Sequence, residues 1–340
     1  MDKARELVSL LGKSDDYFER QKAAWALVNL GEAAVDEVAG ALESGEFSDL
    51  RYKSAWILGK IGSSRAVEPL CRALLSDPDH VVREWSAAAL EALGKEEAAS
   101  ALALAMKRDS AKDVRMRAAM ALRSLRAWEA LRGLLSHSEP EIRGMAATGL
   151  AKMQHTDSLS DVARLLEDED AEVRRRAAAF MGEAFAPEAP EKKSSGRESP
   201  QKDIKAVKDI DCKEPLICLE KALQDKESTV RCEAVKSLGR IRGEAACDMA
   251  LSALKDEDWD VRYVAVTTLG EIGHKKALDR LVEVMFGAED EEIRAWAAWS
   301  LGEIGDERAI EPLQKAYKTC PLEVMKKAKD SLEEVFKVKV

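Results

Sequence analysis

Nine arginines return along the 340-residue chain at nearly constant spacing: Arg20, Arg51, Arg83, Arg115, Arg143, Arg174, Arg231, Arg262 and Arg294, with Met325 in the tenth place. A guanidinium offers two parallel N–H donors to a carboxylate, so the chemistry on offer is carboxylate binding, repeated unit after unit. A catalytic group has no need of nine copies. Acidic residues often stand two places earlier, as Asp49, Asp113, Glu141, Glu172, Asp260 and Glu292 do. The expected role is structural: a ladder in which Arg51, Arg83, Arg115, Arg143, Arg174, Arg231, Arg262 and Arg294 bond acidic or carbonyl groups of the neighbouring turn and keep the units in register.

Positions are numbered from that arginine. His80 and His137 fall at −3 and −6, His155 and His274 at +12, on opposite edges of the array and in distant units. No HExxH, GxSxG, phosphate-binding glycine loop or Cys–His dyad is present. The cysteines (Cys71, Cys212, Cys218, Cys232, Cys247, Cys320) form no CxxC pair and read as buried reduced thiols. Carboxylate pairs are common on a chain with 63 acidic residues and read as caps or i,i+4 partners. The residues therefore predict no catalytic group, no metal and no cofactor.

The elements that carry the arginines read as helices. From about four residues before each arginine to ten after it, apolar residues fall at −1, +3, +7 and +10, a one-sided helical stripe. Asp16, Asp79, Asp170, Asp258 and Asp290 at −4 suit the helix start, and Gly31, Gly62, Gly94, Gly273 and Gly305 at +11 suit its end. The dozen residues that follow, as in RAVEPLCRALLS and RAIEPLQKAYKT, form the first helix of the next unit, with Pro69 and Pro312 expected to kink it. Recurring units of this length stack on one another, so the expected fold class is all-α, with about ten helix pairs.

The segments DVRYVAVTTLGEIG and EIRAWAAWSLGEIGDERAIEPLQKAY resemble HEAT repeats of the short kind named after phycobilisome lyases. The resemblance covers all but one insert. It implies a right-handed α-α superhelix whose second helices line the concave side. Similar repeats occur in bilin lyases, in a metal-dependent hydroxylase, in scaffolds and in artificial binding libraries. The hydroxylase would need His-Glu pairs, whereas here each His is followed by Val, Ser, Thr or Lys, which excludes that activity.

Two gaps break the period. The 28-residue gap from Arg115 to Arg143 lacks the closing Gly and predicts a shortened turn. The 57-residue gap from Arg174 to Arg231 holds about 26 extra residues, Ala186 to Asp211, whose Pro, Ser, Lys and Glu cannot bury a face. This predicts a flexible loop with a short helix near Ile204 to Ile210. The expected organisation is six helix pairs in 1–185, the loop at 186–211, and four pairs in 212–340 continuing the same solenoid.

The outer stripe of the second helices, at +1, +2, +5 and +9, is unusual for a solvated face. Trp25, Trp56 and Trp299 stand at +5, Trp85 and Trp296 at +2, Tyr52 and Tyr263 at +1, with Trp259 in the turn at −3. The stripe carries nine basic residues, Arg175, Arg176 and Arg240 among them, against five acidic ones, on a chain of net charge −10. Met116, Met120 and Met145 add adaptable contacts in the middle. One reading packs the rings between units. The other makes Trp25, Tyr52, Trp56, Trp85, Met116, Met120, Arg175, Arg176, Arg240, Trp259, Tyr263, Trp296 and Trp299 a partner-binding concave face.

The acidic balance, with pI near 5.3, argues against a protein that coats a polyanion. No apolar run reaches 18 residues and no leader opens the chain, so a cytoplasmic monomer without membrane contact is expected. The expected function is a non-enzymatic scaffold that grips a protein segment bearing acidic and apolar residues. Two alternatives are a bilin-lyase-like accessory protein, which the resemblance implies, and nucleic-acid binding by the basic middle.

Overall fold

The computed structural model describes residues 2–186 and 213–339, and within them the chain is helix and turn with no strand. The loop expected at 186–211 lies outside the described residues except for Ala186, as does Cys212. The chain divides into two compact units, Met1–Met153 and Gln154–Val340. The first holds the pairs α1 (Asp2–Lys13) and α2 (Tyr17–Leu30), α3 (Val35–Ser44) and α4 (Ser48–Ile61), α5 (Val67–Ser76) and α6 (His80–Leu93), α7 (Ala99–Arg108) and α8 (Lys112–Ser124), α9 (Trp128–Gly133) and α10 (Pro140–Lys152). The second holds α11 (Leu159–Arg164) and α12 (Ala171–Ala184), α13 (Lys213–Ala222) and α14 (Ser228–Ile241), α15 (Gly243–Ala253) and α16 (Trp259–Ile272), α17 (Leu278–Gly287) and α18 (Glu291–Ile304), α19 (Ile310–Thr319) and α20 (Leu322–Asp330). The described residues thus form ten helix pairs, and the fold class is an all-α solenoid.

Local chemistry sets the boundaries. Asp16, Asp79, Asp170, Asp258 and Asp290 each accept backbone N–H groups of the first turn, supplying acceptors that a helix start lacks. Gly62, Gly94, Gly273 and Gly305 close their helices in the left-handed region. Where that glycine is missing, Arg126 and Gln154 take positive φ themselves, 53° and 51°.

Two expectations need correction. The short period between Arg115 and Arg143 comes out of the helix as well as the turn, because α9 keeps only 6 residues. Pro69 and Pro312 do not interrupt their helices: each is the third residue of α5 or α19, in the first turn, where its missing N–H would have had no intrahelical acceptor.

The core follows the frame. Leu27, Leu58, Leu90, Leu122, Leu150, Met181, Leu238, Leu269, Leu301 and Leu332, all at +7, are fully buried, each contributing roughly 1.5–3 kcal/mol of apolar burial. Leu332 holds this register just beyond α20, so Met325 keeps the frame although no arginine stands there. Within the second unit the second helices pack in sequence, α12 on α14, α14 on α16, α16 on α18 and α18 on α20. Glycine at +8 permits the approach: a Cβ on Gly182 would lie 2.6 Å from the Cα of Ser237, whose hydroxyl donates to the Ala178 carbonyl across the interface at 2.9 Å.

Candidate functional site: an arginine ladder and two aromatic faces

Two sets of acceptors serve the index arginines, and both are engaged at Arg51, Arg83, Arg174 and Arg231. One end of the guanidinium donates through Nη1 to the carbonyl six residues earlier, as Arg83 to Asp77 (2.8 Å), Arg174 to Asp168 (2.9 Å) and Arg262 to Asp256 (2.8 Å). That carbonyl lies at the open end of the preceding first helix, where acceptors lack partners. The other edge, Nε and Nη2, forks onto a carboxylate of the next unit. Arg51 grips Asp77 at 2.8 and 3.0 Å, Arg83 grips Asp109 at 2.7 and 2.9 Å, and Arg231 grips Asp256 at 2.8 Å through both nitrogens. One aspartate therefore ties two arginines, taking one on its carboxylate and the next on its backbone carbonyl. Burial alone would raise the Asp109 and Asp256 carboxyls, but their arginine partners hold both below the ordinary value.

The acid in these rungs sits at −6 rather than −2. Asp recurs at −6 as Asp77, Asp109, Asp168, Asp225 and Asp256, a signal that was present in the frame. Arg115 differs: its −6 partner position is His137, and Nη2 donates instead to Glu141 at −2. Arg143 donates to the carbonyls of His137 and Ser138, both at 2.8 Å. Arg294 is the outlier, donating to the Met285 carbonyl at 2.9 Å and approaching Cys320 Sγ at 3.5 Å.

The outer-stripe residues form two groups, one in each unit. In the first, Trp25 of α2 meets Trp56 of α4 edge-on, with centroids 5.4 Å apart, and Tyr52 stacks on Trp85 of α6 at 6.2 Å. Much of this group remains open: Trp25 is 51%, Met116 46%, Met120 40% and Trp85 39% exposed. Tyr52 is drawn inward, and burial followed by its hydrogen bond to Asp49 pushes its hydroxyl up to about 12. In the second unit Trp259, Tyr263, Trp296 and Trp299 form a continuous chain of half-buried rings with centroids 5.3, 5.7 and 5.4 Å apart, and the Lys327 ammonium lies 4.8 Å from the Trp296 centroid.

The basic side chains on these faces carry acidic partners of their own. Arg175 donates to both Glu172 oxygens at 2.7 and 2.8 Å and to Glu233 at 3.2 Å, Arg176 to Glu172 at 2.7 Å, and Arg240 to Glu233 at 3.0 Å. Lys53 is buried against Asp49 at 2.6 Å. The Arg175 hydrogen bonds, reinforced by Arg176, bring the Glu172 carboxyl down to about 2 against the cost of burial. Glu172, which lies outside the +1, +2, +5 and +9 count yet shares a helix face with Arg175 and Arg176 at i,i+3 and i,i+4, offsets part of the excess positive charge counted there. Lys22, Lys60 and Lys236 remain exposed.

Among the described residues no group of three His, Cys, Asp or Glu converges as metal ligands, and no helix is long and apolar enough to cross a membrane. His274 acts as a helix cap, its Nδ1 accepting the Lys276 N–H at 3.4 Å. His155 Nδ1 lies 2.9 Å from the Ser158 hydroxyl.

Among curated proteins none matches the chain. Solved structures do. Kap95 in a complex with Nup1 is similar over 99% of this chain and 52% of its own, with 13% identity and a TM-score of 0.62. Importin beta is similar over 98% of this chain and 55% of its own, with 13% identity and a TM-score of 0.51. An engineered protein aligns over 99% of both chains with 22% identity and a TM-score of 0.44. The chain spans about half the length of the first two, and the likeness shows the fold. A family model described as HEAT repeats matches residues 35–123, 128–192 and 248–333, more than half of the chain. With the ladder continuing through the α13–α14 pair that this model passes over, the chain belongs to the HEAT-repeat family.

Proposed function

We propose that this HEAT-repeat chain is a non-catalytic scaffold that binds a protein partner on the outer stripe of its second helices, with the principal anchors in the N-terminal unit. The observation that carries this reading is the exposure of Trp25, Trp85, Met116 and Met120 on one stripe of α2, α6 and α8. Tryptophan and methionine are seldom left open on a solvated helix, and rigid aromatic anchors flanked by adaptable thioethers suit a partner's apolar side chains. Half-buried Trp56 and Tyr52 back the exposed rings and set their orientation. The solenoid of Kap95, seen with a protein partner, supports the same use of the fold.

The pairing of Arg175, Arg176 and Arg240 with Glu172 and Glu233 weighs against a phosphate-binding middle, since those guanidiniums already hold carboxylates. The decisive experiment compares proteins recovered from native cells on immobilised wild type and on the Trp25→Ser, Trp85→Ser double variant, both first shown to be folded by circular dichroism. The reading requires a specific partner that is lost with the two rings. An unchanged set of partners would refute it.

A further inference from the structure

Four aspartates show what the ladder builds. Asp77, Asp109, Asp225 and Asp256 each receive Nε and Nη2 of the preceding unit's arginine within 2.7–3.0 Å. The same carboxylates each accept the backbone N–H two residues on, at 2.9 Å, from Asp79, Ala111, Glu227 and Asp258. Each rung is thus a three-donor receptor filled by one carboxylate.

The next rung has the receptor but no acid. Ala288 follows α17 with φ −66° and ψ 143°, the backbone conformation of Asp77 and Asp109, both at φ −65° and ψ 134°. Its N–H donates to Val284 at 3.0 Å, as Asp77 donates to Ala73 at 3.0 Å. Arg262 remains anchored through Nη1 to the Asp256 and Glu257 carbonyls at 2.8 and 2.9 Å, so its fork is presented as in the filled rungs. Among the described residues, neither its Nε and Nη2 edge nor the Asp290 N–H meets a carboxylate. A cleft of about 750 Å³ opens there instead, lined by Arg262, Ala288, Trp259, Arg280 and Ile293.

The geometry points to a carboxylate-binding site at this position, in which Arg262 Nε and Nη2 and the Asp290 N–H take the carboxylate of a ligand in place of the aspartate that Ala288 replaces. The acids nearby do not forbid it. Of the three acids that line the cleft, Glu283 is paired with Arg280, the Asp290 carboxylate caps Glu292 and Ile293 at 2.9 and 3.2 Å, and Glu289 is exposed to solvent. Asp256 binds Arg231 in similar company, beside Glu257 and Asp258. The half-buried face of Trp259 gives an apolar wall for the body of the ligand, which is either the acidic side chain of a peptide or a free organic acid. The donors belong to the ladder and not to the exposed rings of the N-terminal unit, so this site stands or falls independently of the proposed partner face.

The test follows the Arg262 Nε–H and Asp290 N–H resonances of the full chain during titration with sodium acetate, with the peptide acetyl-Leu-Asp-Leu-amide, and with sodium chloride at matched ionic strength. Saturable shifts with the carboxylates and none with chloride are expected. Tighter binding of the peptide by tenfold or more identifies an acidic side chain as the occupant, and equal binding identifies a free acid. Ala288→Asp, which supplies the carboxylate from within, should abolish the titration and raise the thermal midpoint. Shifts that chloride reproduces, or an Ala288→Asp variant that still titrates and is no more stable, would overturn the assignment.

Discussion

Arg174 and Asp225, 51 residues apart in sequence, are joined by two parallel hydrogen bonds, Nε to Oδ2 at 2.7 Å and Nη2 to Oδ1 at 3.0 Å. This is the fork that links Arg83 to Asp109 across 26 residues. Residues 187–212 therefore enter the chain without breaking the ladder, and α12 packs on α14 as α14 packs on α16. The side chains of Arg174 and Asp225 are only 7% and 10% exposed, so removal of one leaves the other buried and unpaired. Arg174→Ala should cost about 3–5 kcal/mol in urea unfolding, and Arg174→Lys should recover only part, since an ammonium cannot fork. Although burial pushes the Asp225 carboxyl up, Arg174 holds it below the ordinary 3.8. The pair's contribution is therefore complete above that value and lost as pH falls through the lower folded value.

Glu172 should titrate near 2 instead of 4.5, because Arg175 and then Arg176 hold its charged form. Carboxyl carbon shifts followed by NMR through acid titration check this. The sign is that of a depressed acid: the stabilising effect is present above 4.5 and disappears as pH drops toward 2. Replacing both arginines by Gln should return the midpoint toward 4.5, and a midpoint already near 4.5 in the wild type would show the pairs to be absent in solution.

Two glycines should respond oppositely to alanine. In Gly182→Ala the new Cβ would lie 2.6 Å from Ser237 Cα, forcing α12 and α14 apart at a cost of about 1–3 kcal/mol. In Gly40→Ala nothing lies within 4 Å, and the exposed helix interior should gain about 0.5–1 kcal/mol. Thermal unfolding of the two variants reads the difference directly.

Single-tryptophan variants should separate the two aromatic groups. Trp25, 51% exposed, should be quenched strongly by acrylamide, and Trp296, half-buried between Tyr263, Trp299 and Lys327, only weakly. Trp25→Ala should change stability by less than about 1 kcal/mol, while Trp296→Ala should cost about 2–4 kcal/mol from lost packing. Equal quenching of the two would dismiss the distinction between an open face and a packed one.

Leu332→Ala should cost about 2–5 kcal/mol, as Leu269→Ala should, because both side chains are fully buried at +7. A terminal position alone would suggest mere fraying. Denaturation monitored through Trp299 tests whether the last unit is part of the cooperative stack.

The period of the arginine, the −4 acid, the +7 leucine and the +11 glycine is enough by itself to specify helix pairs and the family, because the −4 acid and the +11 glycine that bound each helix act within their own helix or turn. A cap needs only the next backbone N–H groups, and a left-handed closure needs only a missing Cβ. What the tertiary structure decided are the relations between units. Asp at −6 and acid at −2 recur alike in the sequence, but only the stacking brings Asp109 under the Arg83 fork and leaves Glu172 to Arg175 and Arg176. Trp25 and Trp299 both stand at +5, yet their neighbours, and not their position in the repeat, leave one open and half-bury the other. The alanine at 288 looks like any small residue until the filled rungs before it show which carboxylate it lacks.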